Sequence, residues 1–207
     1  MLIRSAQRGF SLIETMVVVI IMGLLLAAAA PNFASWIAGS RIRATAEGIL
    51  AGLQYARSEA TSRNAQVRFQ LTTSLTNTCT RSTTAANWVV DMVDAVGGAA
   101  DSVENQCNAV PSDTVAPSIL QVRSAAETGN VTVTSTASQI IFDGLGRQVP
   151  IPPAAASAVA IDLTPGANGG QCAATGGRVT CLRIEVSTAG LVRMCNPAAQ
   201  AADPQSC

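Results

Sequence analysis

From Phe10 to Ala30 the chain reads FSLIETMVVVIIMGLLLAAAA, 21 residues in which Glu14 is the one charge. About 20 apolar residues in a helix cross the hydrocarbon core of a bilayer, so this run predicts a spanning helix. The nine residues before it, MLIRSAQRG, carry Arg4 and Arg8 and no acid. A basic flank is held in the cytoplasm, which sends the remainder outward. Beyond Pro31, the apolar positions Phe33, Trp36, Ile37, Ala44, Ile49, Leu50, Leu53 and Ala56 fall near helical spacing. Arg41, Arg43, Glu47, Arg57, Glu59 and Arg63 take the other faces. Trp36 reads as a core or interface anchor.

From Ala65 the period changes. Gln66–Leu71 alternates polar and apolar, as a half-buried strand does. Trp88–Val90, Ile119–Val122, Val131–Thr136, Gln139–Phe142, Ala158–Leu163, Val179–Val186 and Leu191–Met194 are further short strand candidates, set off by Gly and Pro turns. Val96–Ala116 and the Gly-rich Gly166–Gly177 read as loops, and Ser187–Gly190 as the turn of a closing hairpin. The expected fold is α+β: a long N-terminal hydrophobic helix packed on a C-terminal antiparallel β domain.

Composition narrows the chemistry. The 13 basic residues, all Arg, balance 13 acidic ones, so no global field drives binding to nucleic acid. There is no His, which removes the Ser-His-Asp triad, the Cys-His dyad and most zinc sites. No nucleophile–base pair or metal-ligand constellation stands out, so we assign no catalytic residue, no metal and no cofactor. Two Trp, one Tyr and four Phe are too few for a single-strand stacking platform. All six Cys (Cys79, Cys107, Cys172, Cys181, Cys195, Cys207) lie beyond the apolar run and form no C-x-x-C pair. In an exported region they read as disulfides. Fifteen pairings are open; neighbour pairing, Cys79–Cys107, Cys172–Cys181 and Cys195–Cys207, is preferred because the last two would close hairpin-sized loops.

Glu14 separates this N-terminus from an ordinary secretory signal. A carboxylate near the start of an apolar run costs a few kcal/mol unless it finds a partner, and a cleaved signal gains nothing from it. The stretch Gly9-Phe10-Ser11-Leu12-Ile13-Glu14 resembles the class III prepilin signal of type IV pilins and type II secretion pseudopilins. That resemblance implies cleavage between Gly9 and Phe10 by prepilin peptidase and N-methylation of Phe10. The new Phe10 amine, cationic near neutral pH, would pair with Glu14 of a subunit already in the filament. The resemblance also implies that the helix continues through Pro31, from Phe10 to about Ser62, roughly 80 Å long.

Two further segments are similar to the branch that holds the H-type pseudopilin and the FimT and FimU minor pilins. They are Ile140-Ile141-Phe142-Asp143-Gly144-Leu145-Gly146-Arg147 and the hairpin Arg183–Arg193. The helix segment Ala46–Ala60, followed by the Val67–Phe69 strand, is also typical, whereas residues 72–118 match nothing in that branch. The implied organisation is a leader (1–9), a transmembrane and filament-core helix (10–30), the exported half of that helix (31–63) and a disulfide-bearing β domain (64–207). The implied role is a minor pilin that helps initiate a type IV pilus at its tip. It begins as a single-pass inner-membrane protein with a periplasmic domain, and its partners are prepilin peptidase and other pilins. Two alternatives remain: an H-type pseudopilin of type II secretion, and a FimT-like DNA receptor in natural transformation. For DNA, Arg193, Arg183, Arg178 and Arg147 are the candidate phosphate contacts. Leu191 stands where the receptors carry the first of two Arg, and the competing reading of these residues is ion pairing with Glu185 or Asp143.

Overall fold

The computed structural model describes residues 9–93, 103–124, 129–150, 155–167 and 169–207; inside the helix, nothing is said of the side chains of 28–32. Helix α1 runs unbroken over Leu12–Arg63, 52 residues, about 78 Å at the usual rise. Its backbone stays helical through Pro31. Ser11, in extended conformation, caps the start by accepting the Glu14 N–H on its hydroxyl. Asn64 ends the helix in the left-handed region (φ 49°), with its N–H donated to the Ala60 carbonyl.

Among the described residues nine strands follow: β1 (Val67–Thr72), β2 (Asn87–Met92), β3 (Ile119–Arg123), β4 (Val131–Ser135), β5 (Gln139–Phe142), β6 (Gln148–Val149), β7 (Val159–Pro165), β8 (Leu182–Val186) and β9 (Val192–Cys195). They form two antiparallel sheets, ordered β3-β2-β1-β5-β6 and β4-β7-β8-β9. The fold is therefore α+β, as the pattern predicts. β8 begins three residues later than the sequence reading placed it, because Val179 instead bridges to Cys172 and Cys181 is tied to the same residue. β6 is too short to show a period of its own.

One core joins the helix to both sheets. Ile42, Ala46, Ile49, Leu53, Ala56 and Ala60 form the buried stripe of α1, at spacings of three and four. They meet Val67, Phe69 and Leu71 of β1 and alternate residues of β7 and β8 such as Ile161 and Ile184. This stripe corrects the phase read from the sequence: Ala44, Phe33 and Trp36 are exposed, since the domain packs on the helix only from about residue 38 onward. Gly52 lets the helix approach the first sheet closely. A Cβ there would lie 2.9 Å from both the Phe69 and Trp88 rings.

The polar face of β1 differs from expectation. All six β1 residues are buried, so Arg68, Gln70 and Thr72 do not face solvent. β2 shows why. Trp88 and Val90 join the main core, while Val89, pointing the other way, joins Cys79, Val103, Cys107 and Ile119 in a second small core. The Cys79–Cys107 disulfide lies inside it, closing a separation of 28 residues, which the chain-entropy account values at roughly 3.5 kcal/mol. The segment expected to be a bare loop, Val96–Ala116, thus contributes Val103, Cys107 and Ala109 to the back of the first sheet; its part over 96–102 lies outside the described residues.

Under that cover Arg68 and Asp91, register partners on β1 and β2, form a two-point ion pair: Nε donates to Oδ1 at 3.2 Å and Nη2 to Oδ2 at 2.6 Å. Their side chains are 6% and 0% exposed. Gln70 adds an Nε2 bond to Asp91 Oδ1 at 3.0 Å.

The other disulfides are Cys172–Cys181, which closes the Gly-rich loop around a 3-10 turn at Ala173–Thr175, and Cys195–Cys207, which ties the C-terminal segment beside β9. The three pairs join neighbours in the sequence, and no cysteine is left free.

Candidate assembly helix and cationic strand faces

The first helical turn is built by Ser11. Its carbonyl accepts from the N–H groups of Glu14 (3.1 Å) and Thr15 (3.2 Å), and Thr15 Oγ1 donates to the Leu12 carbonyl at 2.8 Å. The helix therefore begins immediately after Phe10. Gly9 and Phe10 lie outside it and are exposed, Phe10 at 83%. A Cβ added at Gly9 would meet nothing within 4 Å among the described residues, so local packing gives no reason for glycine there. Glu14 sits in the first turn, where the helix dipole favours a negative charge. It lines one shallow surface with Thr15, Val18 and Val19 of the helix and with Phe10 just before it.

Along the first half of α1 the apolar side chains find no partner among the described residues. Leu12 is 78% exposed and Leu26 66%, with Met16–Met22, Leu24 and Leu25 similarly bare. Among the described residues no helix is long and apolar enough to cross a membrane. The described apolar side chains run from Leu12 to Ala27, and residues 28–30, which complete the span read from the sequence, lie outside the described side chains.

The four candidate phosphate-binding arginines do not gather at one place. Arg183 reaches across β8–β7 to Asp162, with Nε to Oδ1 at 2.7 Å and Nη2 to Oδ2 at 3.0 Å. Asp162 holds the Arg183 guanidinium above its ordinary pKa through these bonds. Arg193 gives both Nε and Nη2 to Glu185 Oε2, at 3.0 and 2.7 Å. These four residues alternate in sign across β7, β8 and β9. Arg147 pairs instead with Asp143 in the β5–β6 turn, at 3.1 and 3.0 Å. Arg178 lies against α1, beside Arg43 and Trp36. Three of the four thus meet a carboxylate. Glu185 and Asp143 were legible as partners; Asp162 became a partner only through the β7–β8 register, which sets it opposite Arg183. Glu185 also converges with Cys195 and Cys207 to within 4.8 Å, but those two sulfurs form one disulfide.

The two segments that carry the family resemblance meet in space. In the β5–β6 turn, Asp143 Oδ1 accepts from the N–H groups of Leu145 and Arg147, both at 2.9 Å. Arg57 of α1 donates Nε to the Gly146 carbonyl at 3.1 Å. Gly190, in the β8–β9 turn at φ 80°, lies against the backbone of Gly146 and Arg147, where a Cβ would collide. Glycine is required there both by the backbone conformation and by that approach.

Burial raises the Asp143 carboxyl, but the Arg147 N–H, the Arg147 guanidinium and the Leu145 N–H together bring it below its ordinary value. A depressed folded-state pKa stabilises the fold above the unfolded value near 3.8, and that contribution is lost as pH falls through the folded value. Asp143→Asn should therefore lower the melting temperature at pH 7 and flatten its decline below about pH 4. An Asn variant whose decline on acidification matches the parent would count against this role.

Residues 45–190 match the family described as type II transport protein GspH, and residues 4–30 match the prokaryotic N-terminal methylation motif. No curated protein sequence matches the chain. Two crystal structures of the type IV minor pilin FimU from Pseudomonas aeruginosa PAO1 are similar at 20% identity. One covers 81% of this chain and 96% of its own, with a TM-score of 0.47; the other covers 80% and 98%, with a TM-score of 0.43.

Proposed function

Because this chain belongs to the family of the type II transport protein GspH, we propose that it is a filament subunit, a minor pilin that takes part in priming a type IV pilus. The observation that carries this reading is the bare apolar half of α1. A helix that exposes Leu12, Ile13, Val17, Val18 and their neighbours needs another apolar surround. Lipid supplies it before assembly, and helices of other subunits supply it afterwards. In this reading the N-terminal helix anchors the chain in the inner membrane with the β domain in the periplasm. Prepilin peptidase cuts between Gly9 and Phe10. The open surroundings of Gly9 support a glycine kept for the peptidase rather than for the fold. The Phe10 amine, N-methylated, then meets Glu14 of a neighbour.

The match to a type II transport protein family favours a second reading, a pseudopilin of a type II secretion system. Both readings share the helix and its processing. Deleting the gene separates them: the first predicts loss of surface pili and twitching with secretion intact, the second the reverse. N-terminal sequencing of filament or membrane protein should give methylated Phe10 as the first residue, and a mature chain that starts elsewhere would refute both. The DNA-receptor alternative gains no support from guanidiniums already held by Asp162, Glu185 and Asp143.

A further inference from the structure

Just beyond the apolar run, α1 changes character. Between residues 31 and 46 the chain carries Arg41 and Arg43 and no acid. Phe33 and Trp36 stack with ring centroids 5.8 Å apart, yet they are 61% and 67% exposed. Two large rings stacked on each other and bare to solvent have no role in the domain core. Beside them runs a groove of about 480 Å³ between α1 and the approach to β8. Trp36 and Ser40 line it from the helix, Thr180 lines it from the domain, and Arg43 and Arg178 add positive charge; among the described residues that line it there is no carboxylate.

The axial positions of these groups fit a membrane surface. Trp36 lies six residues past Ala30, about 9 Å along the helix, and Arg43 about 20 Å. The headgroup layer extends roughly 5–8 Å beyond the hydrocarbon on each side. Indole rings concentrate at that level, where an apolar body and a polar N–H are both accommodated. Helical side chains tilt toward the N-terminus, and Arg extends its guanidinium along its stem. Arg43 therefore reaches back toward the bilayer, within about one Debye length of the headgroups.

We propose that the groove and the Phe33–Trp36 pair form a docking surface for the anionic phospholipid headgroups of the membrane outer face, used by the subunit before it leaves the bilayer. The rings sit among the headgroups, and a phosphodiester enters the groove toward Arg43 and Arg178. This inference rests on the membrane-anchored reading above. It adds a waiting position in which the β domain is held against the lipid surface in one orientation. Extraction into a filament then exchanges headgroup contacts for subunit contacts.

The test uses the full chain in lipid nanodiscs of phosphatidylcholine alone or with phosphatidylglycerol added. Trp36 emission is isolated as the difference between the parent and Trp36→Phe, which removes the contribution of buried Trp88. The expected result is a blue-shifted Trp36 that responds to phosphatidylglycerol, with that lipid enriched about two- to fivefold around the protein. Enrichment should vanish in Arg43→Gln/Arg178→Gln. Five-fold per cation corresponds to about 1 kcal/mol. Identical Trp36 emission in both discs, or enrichment unchanged in the double variant, would overturn the docking surface while leaving the anchor intact. A chain that fails to enter the discs would overturn the anchor and the docking surface together. If inorganic phosphate shifts Trp36 equally in neutral discs, the groove is a free-phosphate site and the membrane assignment is wrong.

Discussion

Asp91→Ala is expected to destabilise the β domain by about 3–5 kcal/mol, the usual cost of breaking a buried ion pair from one side. Asp91 is fully buried and takes two guanidinium N–H bonds from Arg68 and one amide bond from Gln70. Truncation removes the carboxylate that accepts all three bonds at once, in a region closed off from water. Against a typical domain stability of about 5–15 kcal/mol, such a loss leaves a sizeable unfolded fraction at 37 °C. Guanidinium unfolding of the full chain in micelles, followed through buried Trp88, should show the midpoint fall. The double variant Arg68→Met/Asp91→Leu should recover most of it, because replacing both charges with apolar groups of similar volume is often neutral. A single-variant loss below about 1 kcal/mol would show that solvent reaches the pair.

The second large effect is on assembly. Glu14→Val should leave membrane insertion intact, or improve it, while lowering incorporation into filaments by a factor of about 10²–10⁴, the equivalent of about 3–5 kcal/mol for one buried charge left without its partner. Glu14→Gln should fall nearly as far, since it keeps the shape and loses the charge. The comparison is subunit in sheared filaments against subunit in the membrane, by immunoblot. Normal incorporation of Glu14→Val would remove the electrostatic basis of the assembly proposal.

Much of the fold was legible because two periods are strong. The helix, Leu12–Arg63, begins and ends within two residues of the span from Phe10 to about Ser62 that the family resemblance implies. Strands such as Gln139–Phe142 were set off by turn residues. What escaped the sequence depends on partners far along the chain. Arg68 and Gln70 alternate with apolar residues as solvent-facing positions do, yet both are buried, paired across to β2, whose Val89 joins the second core around Cys79–Cys107. The phase of the helical stripe is obscured in the sequence because Phe33 and Trp36 are as apolar as its members, although they lie before the domain begins to pack. Asp162 entered the cationic face through strand register alone. The N-terminal features, by contrast, are local: a carboxylate four residues after Phe10 and a glycine just before it.

The stripe Ile42–Ala60 also has a mechanical meaning. It fastens the β domain to a continuous rod over about 27 Å, against both sheets. A pull on the rod along its axis loads that seam in shear, so that all its side chains resist together rather than parting one after another from an end. A fibre built on such rods would transmit tension through its spine and leave the folded heads largely unstretched.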